Sequence, residues 1–193
     1  MSDLQRIAVK IHAEGAAGMS LDPLLVVFGR WRGEPEHPEQ WVDLADYAHI
    51  PRGPGIVLVG KRANFSFEQG GSGPGFLYAS KTDLSGDDEQ RLRAVLGRCF
   101  QLAARLAGEP EFPGRVRPCP ESLDLIFNDR LATPNLIETD RRLRPSVTAA
   151  LDRLYGSGAW QMAAETDPGQ RFGFAIRSRH PLALETLAAR AAA

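Results

Sequence analysis

Three acidic and basic residues in one short segment form the first cluster that could carry chemistry. Asp43, Asp46 and His49 lie within residues 41–49, which have strand character. If this segment is a strand, Asp43 and His49 point to the same face, where a carboxylate can orient an imidazole and raise its basicity. These three residues are therefore the candidate catalytic residues. The alternative is a solvated face on which His49 simply precedes a turn.

A second polar cluster lies between an apolar run and a helical stretch, and consists of Asn128, Asp129, Arg130, Thr133 and Asn135. Backbone N–H groups at the start of a helix favour an anion, and Arg130 could hold a carboxylate or phosphate through two parallel hydrogen bonds. In the alternative, Asn128 and Asp129 form the turn and Asn135 caps the helix. Arg130 would then pair with Asp129 or Asp140.

The glycine-rich loop at residues 70–75 resembles a phosphate-binding loop only in composition. It lacks the lysine and the serine or threonine of a P-loop, and its neighbours read as strands, so we expect a hairpin tip. Cys99 and Cys119 fit no metal-binding pair, and His49 has no second ligand at a suitable spacing. We therefore expect neither a metal nor a cofactor.

Composition limits the class of protein. The chain has 193 residues, of which 43% are hydrophobic and 24% charged, as expected for one globular domain. A net charge of −1 gives no general attraction to nucleic acid or anionic lipid. The sequence shows no signal segment or membrane-spanning run, and it contains two cysteines, so we expect a cytoplasmic protein without membrane contact.

The elements that must position the clusters begin with residues 56–59, an aliphatic, β-branched run typical of a buried strand. A turn containing Pro51, Gly53, Pro54 and Gly55 precedes it. Residues 41–49 fit either a helix or a strand, and we favour a strand with Val42 and Leu44 on one face and Trp41 on the other. Residues 64–68 and 76–80 predict a hairpin across the glycine-rich loop.

Helices and further strands complete the prediction. Residues 6–13 predict a half-exposed strand, and residues 24–31 a short helix. A helix capped by Ser85 ends at Gly108, and a second helical region is divided by Pro145. Residues 123–128 predict a strand, and residues 160–165 and 171–177 a hairpin across Asp167, Pro168 and Gly169. The tail, residues 181–193, reads as a frayed helix.

The order strand, helix, strand, strand occurs twice, in residues 6–60 and 123–177. It predicts an α+β fold with a mixed, mostly antiparallel sheet, helices packed on one side and pseudo-duplicated β-α-β-β halves. We expect a single domain over residues 1–193. Four prolines in residues 109–120 mark the position at which an internal boundary would fall.

Residues 43–55, together with residues 128–130 and 134–135, resemble a group of uncharacterised bacterial proteins over most of the chain. The group implies no activity, cofactor or site, but the resemblance favours the two clusters acting together. We expect a non-enzymatic binding or accessory protein that contacts a protein partner or a second copy of itself. The alternative is a small-molecule enzyme or sensor with an anionic ligand near Asp43, His49, Asn128 and Arg130.

Overall fold

The structure is a computed structural model that describes residues 4–50 and 53–193. Within these ranges the chain forms eight strands and four helices. In chain order they are β1 (Ile7–Glu14), α1 (Asp22–Arg32), β2 (Trp41–Tyr47), β3 (Gly55–Gly60), β4 (Ala63–Glu68), β5 (Gly75–Ser80), α2 (Asp88–Ala107), β6 (Arg117–Phe127), α3 (Ile137–Tyr155), β7 (Trp160–Ala164), β8 (Gly173–Ser178) and α4 (Leu184–Ala192).

All eight strands belong to one sheet with the order β2-β3-β4-β5-β1-β6-β8-β7. Every pairing is antiparallel. The α+β prediction is confirmed, and the sheet is wholly antiparallel rather than mixed. Residues 109–120 do not interrupt it, because β6 begins at Arg117 and pairs with β1 along its length.

The core lies between one face of the sheet and the four helices. Alternate residues of each strand enter it, such as Val9, Phe65 and Phe174, and the buried faces of the helices meet them in one cluster. We call the opposite side of the sheet the open face. It carries Ala8, Lys10 and His12 of β1 and, across the registers, Leu77, Ser66, Asp124 and Ala175. Helices on one side agree with the prediction.

The repeat in the topology differs from the predicted one. β1 and β6 are central neighbours, β5 and β8 flank them, and β4 and β7 lie one strand further out. Both halves therefore follow the order strand, helix, hairpin, helix, as β1-α1-β4-β5-α2 and β6-α3-β7-β8-α4. The β2–β3 hairpin is an insertion in the first half, whereas the sequence suggested that β4–β5 was the extra hairpin.

Two predicted details at the sheet are wrong. β1 is almost completely buried rather than half-exposed, because β5 and β6 pair with both of its edges. β2 is a strand as predicted, but a register shift between Trp41 and Asp43 turns Trp41 to the same side as Leu44. Two residues of the predicted turn before β3, Pro51 and Arg52, lie outside the described residues.

The helices also differ in detail. Asp87, not Ser85, caps α2, since its side chain accepts from Gln90 N at 2.9 Å and Gln90 Oε1 accepts from Asp87 N at 2.9 Å. α3 is continuous through Pro145, which is exposed, so water can satisfy the carbonyl that a proline leaves without a donor. α4 packs on the core through Leu187 and Ala191, and whether its end frays stays a prediction.

Candidate ligand-binding site

A pocket of 510 Å³ lies where α1 leads into β2, beside the β3–β4 turn. It is lined by Glu34, Glu36, His37, Pro38, Gln40, Trp41, Val42, Lys61 and Arg62. All of these residues come from two short segments, residues 34–42 and 61–62. Both belong to the stretch inserted between α1 and β4, so the insertion alone builds the walls of the pocket.

Backbone hydrogen bonds fix the two segments against each other. Lys61 N donates to Gln40 O at 3.1 Å, and Arg62 N donates to Glu39 O at 3.2 Å. Gly60 permits this close approach, because a Cβ there would lie 2.7 Å from Glu39 O and 2.8 Å from the Trp41 ring. A side chain at this position would force the two walls apart.

The wall formed by residues 34–42 is conformationally strained. Glu36 and Gln40 have φ angles of 61° and 51°, which residues other than glycine seldom adopt. The register shift between Trp41 and Asp43 adds a bulge at Val42. Strained backbone and bulges of this kind are common at functional sites, where the surrounding structure holds them in place.

Glu39 lies behind the pocket wall, and its side chain is only 2% exposed. Arg98 of α2 donates to both carboxylate oxygens, from Nε at 2.7 Å and from Nη2 at 2.8 Å, and Tyr78 Oη approaches at 3.5 Å. Burial lowers the pKa of Arg98, but the hydrogen bond and charge of Glu39 outweigh that effect and raise it overall. Glu39 and Arg98 therefore form a hydrogen-bonded pair behind the pocket wall.

His37 lies between this buried carboxylate and the pocket. Its Nδ1 is 2.6 Å from Glu39 Oε2, a contact at ion-pair distance but without hydrogen-bond alignment. The imidazole also packs against the Trp41 ring, with the centroids 4.9 Å apart. Burial is the main cause that lowers the pKa of His37; the Glu39 charge opposes this shift, while Arg98 supports it. At neutral pH the ring is accordingly neutral, and Nε2 is the nitrogen left for a ligand.

Trp41 contributes a hydrogen-bond donor that the described residues leave unused. Its side chain is buried, yet no acceptor in residues 4–50 and 53–193 pairs with Nε1. The other two tryptophans are different, because Trp31 Nε1 donates to Glu109 at 2.6 Å and Trp160 Nε1 donates to Asp152 at 2.9 Å. A buried donor without an acceptor is costly and is therefore a feature that requires an explanation.

The charges at the mouth of the pocket favour an anion. Lys61 and Arg62 are exposed there, together with Glu36. The remaining carboxylate, Glu34, pairs with Arg105, and this hydrogen bond lowers the pKa of Glu34 despite the opposing effect of burial. Because Arg105 balances the charge of Glu34, the remaining charges of Lys61, Arg62 and Glu36 leave the mouth with one net positive charge.

The chemistry available in the pocket is hydrogen bonding and proton transfer. The indole N–H donates, the two cations attract, and the neutral imidazole can accept a proton at Nε2 while Glu39 stabilises the imidazolium. Over the described residues, no group of three His, Cys, Asp or Glu side chains is placed to hold a metal ion. The same residues include no helix long and apolar enough to cross a membrane.

The structure does not bring the residues of the first predicted cluster together. Asp43 Oδ1 accepts from Leu44 N and Asp46 Oδ1 from Ala48 N, each at 2.8 Å. The chain turns after Tyr47, so His49 leaves the strand and no longer shares a face with Asp43. All three side chains are exposed at the edge of the sheet. Their catalytic role stays a prediction.

The second predicted cluster forms a loop that packs on the β7–β8 turn. Asp129 Oδ1 accepts from Leu131 N and Ala132 N, both at 3.0 Å, as in an Asx turn. Asn128 Oδ1 accepts from Arg171 at 2.6 Å, Arg130 donates to Gly169 O at 3.3 Å, and Asn135 donates to Asp167 O at 2.7 Å. These side chains connect two loops, and Asn135 does not cap α3, which begins after Leu136.

The two predicted clusters do not share a pocket. β2 and β6 are separated by four strands in the sheet, which at about 4.8 Å per strand spacing places them roughly 24 Å apart. An anionic ligand that contacts both Asp43 and Arg130 is therefore outside the reach of a small molecule.

Sequence reasoning missed His37, Glu39, Trp41 and Arg98 as a group. Residues 33–39 look like a polar connection broken by prolines, and Arg98 like one of several arginines on the polar side of α2. The one available signal is His37 and Glu39 two residues apart beside a tryptophan. The pairing of Glu39 with a distant helix has no signature in the sequence.

Comparisons of the chain with protein-family models, curated proteins and solved structures find no significant match.

Proposed function

We propose that this protein binds a small anionic molecule in the pocket lined by His37, Trp41, Lys61 and Arg62. The observation that carries the proposal is the buried Trp41 indole N–H, which finds no acceptor in the described part of the chain. An anionic oxygen supplies that acceptor, and hydrogen bonds to charged groups are stronger than neutral ones. A pocket of 510 Å³ is also within the size range of small-molecule sites.

His37 gives the site a second point of recognition. Because Nδ1 is turned toward Glu39, Nε2 is available to accept a hydrogen bond from a ligand hydroxyl or amide. A ligand with an anionic group for Trp41 and the two cations, and a donor for His37, engages the indole N–H, both cations and His37 Nε2. The function is binding or sensing, and a reaction would require His37 to move a proton as general base.

The first test combines native mass spectrometry with a binding titration. The freshly purified protein is weighed without dialysis, and tryptophan fluorescence is followed while inorganic phosphate, citrate and adenosine monophosphate are added as probes. We expect a bound small molecule or a saturable response to at least one probe. Calorimetry, which does not rely on the deleted indole as reporter, should show that affinity for this probe falls about tenfold in Trp41→Phe and is unchanged in Trp160→Phe. No retained mass and no saturable response to any probe would contradict the proposal.

A second candidate function rests on three large apolar side chains before and at the start of α3. Leu131, Leu136 and Ile137 are 97%, 55% and 56% exposed. Apolar residues grouped on a surface are typical of protein–protein contacts, so we propose that this patch binds a protein partner or a second copy of the chain. Analytical ultracentrifugation of the protein and of Leu131→Ser tests self-association. A monomer at all concentrations that captures no partner would reject it.

We also propose a cytoplasmic location. Both cysteines, Cys99 and Cys119, are free and buried, and burial raises the pKa of each thiol, which suits a reducing compartment. Cell fractionation followed by immunoblotting tests this location. Recovery of the protein in an extracytoplasmic fraction would contradict it.

A further inference from the structure

A polar cluster distinct from the two predicted ones lies on the open face, at the opposite end of β4 from the pocket. The connection between β4 and β5, residues 69–74, contains Gly70, Gly71 and Gly73 and bends onto this face. Pro74 O accepts from Ala13 N at 2.9 Å, and Ser72 Oγ donates to Asp124 Oδ2 at 2.6 Å. The loop is thus tied to both central strands, β1 and β6.

The loop covers Lys10, whose side chain is 2% exposed although it points to the face that has no helices. Lys10 Nζ donates to Gly70 O at 3.1 Å and pairs with Glu68 Oε1 at 2.5 Å. Close packing continues at Gly75, where a Cβ would lie 2.9 Å from Lys10 Cε. A lysine is seldom buried in this way unless a partner and a cover hold it there.

Asp124 of β6 holds the loop against the sheet. His12 Nε2 lies 3.0 Å from Asp124 Oδ2, the same oxygen that accepts from Ser72. Burial raises the pKa of Asp124, but the contacts with His12, Ser72 and Lys10 outweigh it and leave the pKa below its usual value. The carboxylate is therefore ionised at neutral pH and can hold the Ser72 hydroxyl.

The backbone of the loop has the means to pivot. Gly71 and Gly73 have φ angles of 62° and 108°, a region that glycine enters freely, and the two residues lie on either side of Ser72. Four hydrogen bonds thus hold the loop: Ser72 to Asp124 between the two glycines, Lys10 to Gly70 O, Ala13 N to Pro74 O, and, at its first residue, Gln69 Nε2 to Met19 O at 2.9 Å. Such a segment can open locally without unfolding the sheet.

We propose that residues 69–74 form a lid, fastened by Ser72 to Asp124, that opens to expose the Lys10 amine on the open face. The lid gates a different part of the molecule from the pocket of His37 and Trp41, so it does not depend on ligand binding there. Glu68 stays beside Lys10 when the lid opens, because it belongs to β4 rather than to the loop.

Amine labelling tests the lid directly, because the chain contains only three lysines, Lys10, Lys61 and Lys81. The whole protein is acetylated with acetic anhydride in small portions, and each lysine is quantified by mass spectrometry. We expect exposed Lys61 to label fastest and Lys10 slowly. In Ser72→Ala, Lys10 labelling rises about tenfold, the factor for one lost hydrogen bond of about 1.4 kcal/mol, and Lys61 labelling stays unchanged.

A urea series separates local opening from global unfolding. Opening of the lid exposes little surface, so Lys10 labelling should hardly change with urea below the unfolding transition. The proposal is overturned if Lys10 labelling rises with urea in parallel with global unfolding, or if Lys10 labels as fast as Lys61 in the unaltered protein. It is also overturned if Ser72→Ala leaves Lys10 labelling unchanged.

Discussion

The two halves of the molecule share one topology but differ in the connection that follows their first helix. In the second half, α3 is joined to β7 by residues 156–159 alone. In the first half, residues 33–62 stand in the corresponding place and contain the β2–β3 hairpin. All residues that line the candidate site belong to that longer connection. The first half therefore departs from a simple structural repeat at these inserted residues.

The polar groups of the two halves show the same contrast. In the second half, Trp160 donates to Asp152, and Arg144 donates to Asp140. Both contacts support the fold. A groove of the second half lies along the outer surface of α3, where Arg144 and Asp152 are among its walls. In the first half, strained backbone surrounds the Trp41 indole and a histidine backed by a buried carboxylate. This difference supports the proposal that the inserted segment binds a ligand.

The largest expected effect comes from Glu39→Gln. The substitution leaves Arg98 with a neutral partner, and we expect it to lower the free energy of unfolding by about 2 kcal/mol. The matched control is Asp140→Asn, which breaks a pair of similar geometry, 2.9 Å to each oxygen. The Asp140 side chain is 14% exposed against 2% for Glu39, so the loss should be smaller, about 1 kcal/mol. Urea unfolding measures both. Equal losses would remove the contrast between the halves.

Trp41→Phe tests the unused donor. It keeps an aromatic ring against His37 but removes the indole N–H, so we expect affinity for the bound anion to fall about tenfold. Trp160→Phe removes an indole N–H that already has a partner, and affinity should remain unchanged. Calorimetric titration of each variant gives the comparison, since it does not depend on the indole that each substitution removes. A similar loss in both variants would place the ligand elsewhere.

His37 makes stability depend on pH in a known direction. Its pKa is lower in the folded protein, so the unfolded chain binds more protons below about pH 6.5, and stability falls as the pH falls through that range. The free energy of unfolding falls by about 1.4 kcal/mol for each unit by which the pKa of His37 differs between the folded and unfolded states. Between pH 5 and 7.5, the free energy of unfolding should change less with pH in His37→Gln than in the unaltered protein. His180→Gln, an exposed site in the second half, should leave the slope in place.

The smallest effect is expected from charge at the mouth of the pocket. Arg62→Gln should weaken anion binding about threefold at low ionic strength and less in salt, because Arg62 is exposed and screened. Arg179→Gln removes an equally exposed charge from the end of β8 and should have no effect. Titrations at two salt concentrations provide the measurement. A salt-independent loss in Arg62→Gln would point to a structural role instead.

Much of the fold is readable from the sequence because its signals are local. Alternating apolar residues locate the strands, and Gly108 marks the end of α2. Pro145 misleads, because tertiary packing of Leu143 and Val147 keeps α3 whole around an exposed proline. No sequence pattern indicates the bulge at Val42, although the bulge decides which way Trp41 faces.

The candidate site is hardly readable from the sequence, because its contacts are long-range. Glu39 and Arg98 meet only after α2 has packed on the sheet. Asp43 and His49 carry the more conspicuous pattern, yet the end of β2 at Tyr47 separates them. Local spacing finds residue types, whereas burial and missing partners are properties of the folded chain.

The indole N–H signals in a ¹H–¹⁵N NMR spectrum show whether a ligand pairs with Trp41. The three tryptophans give three such signals, and Trp31 and Trp160 already donate to carboxylates. On titration with a probe that binds, the Trp41 signal should move downfield and saturate while the other two stay in place. Saturable movement of the Trp31 or Trp160 signal with a static Trp41 signal would contradict the account.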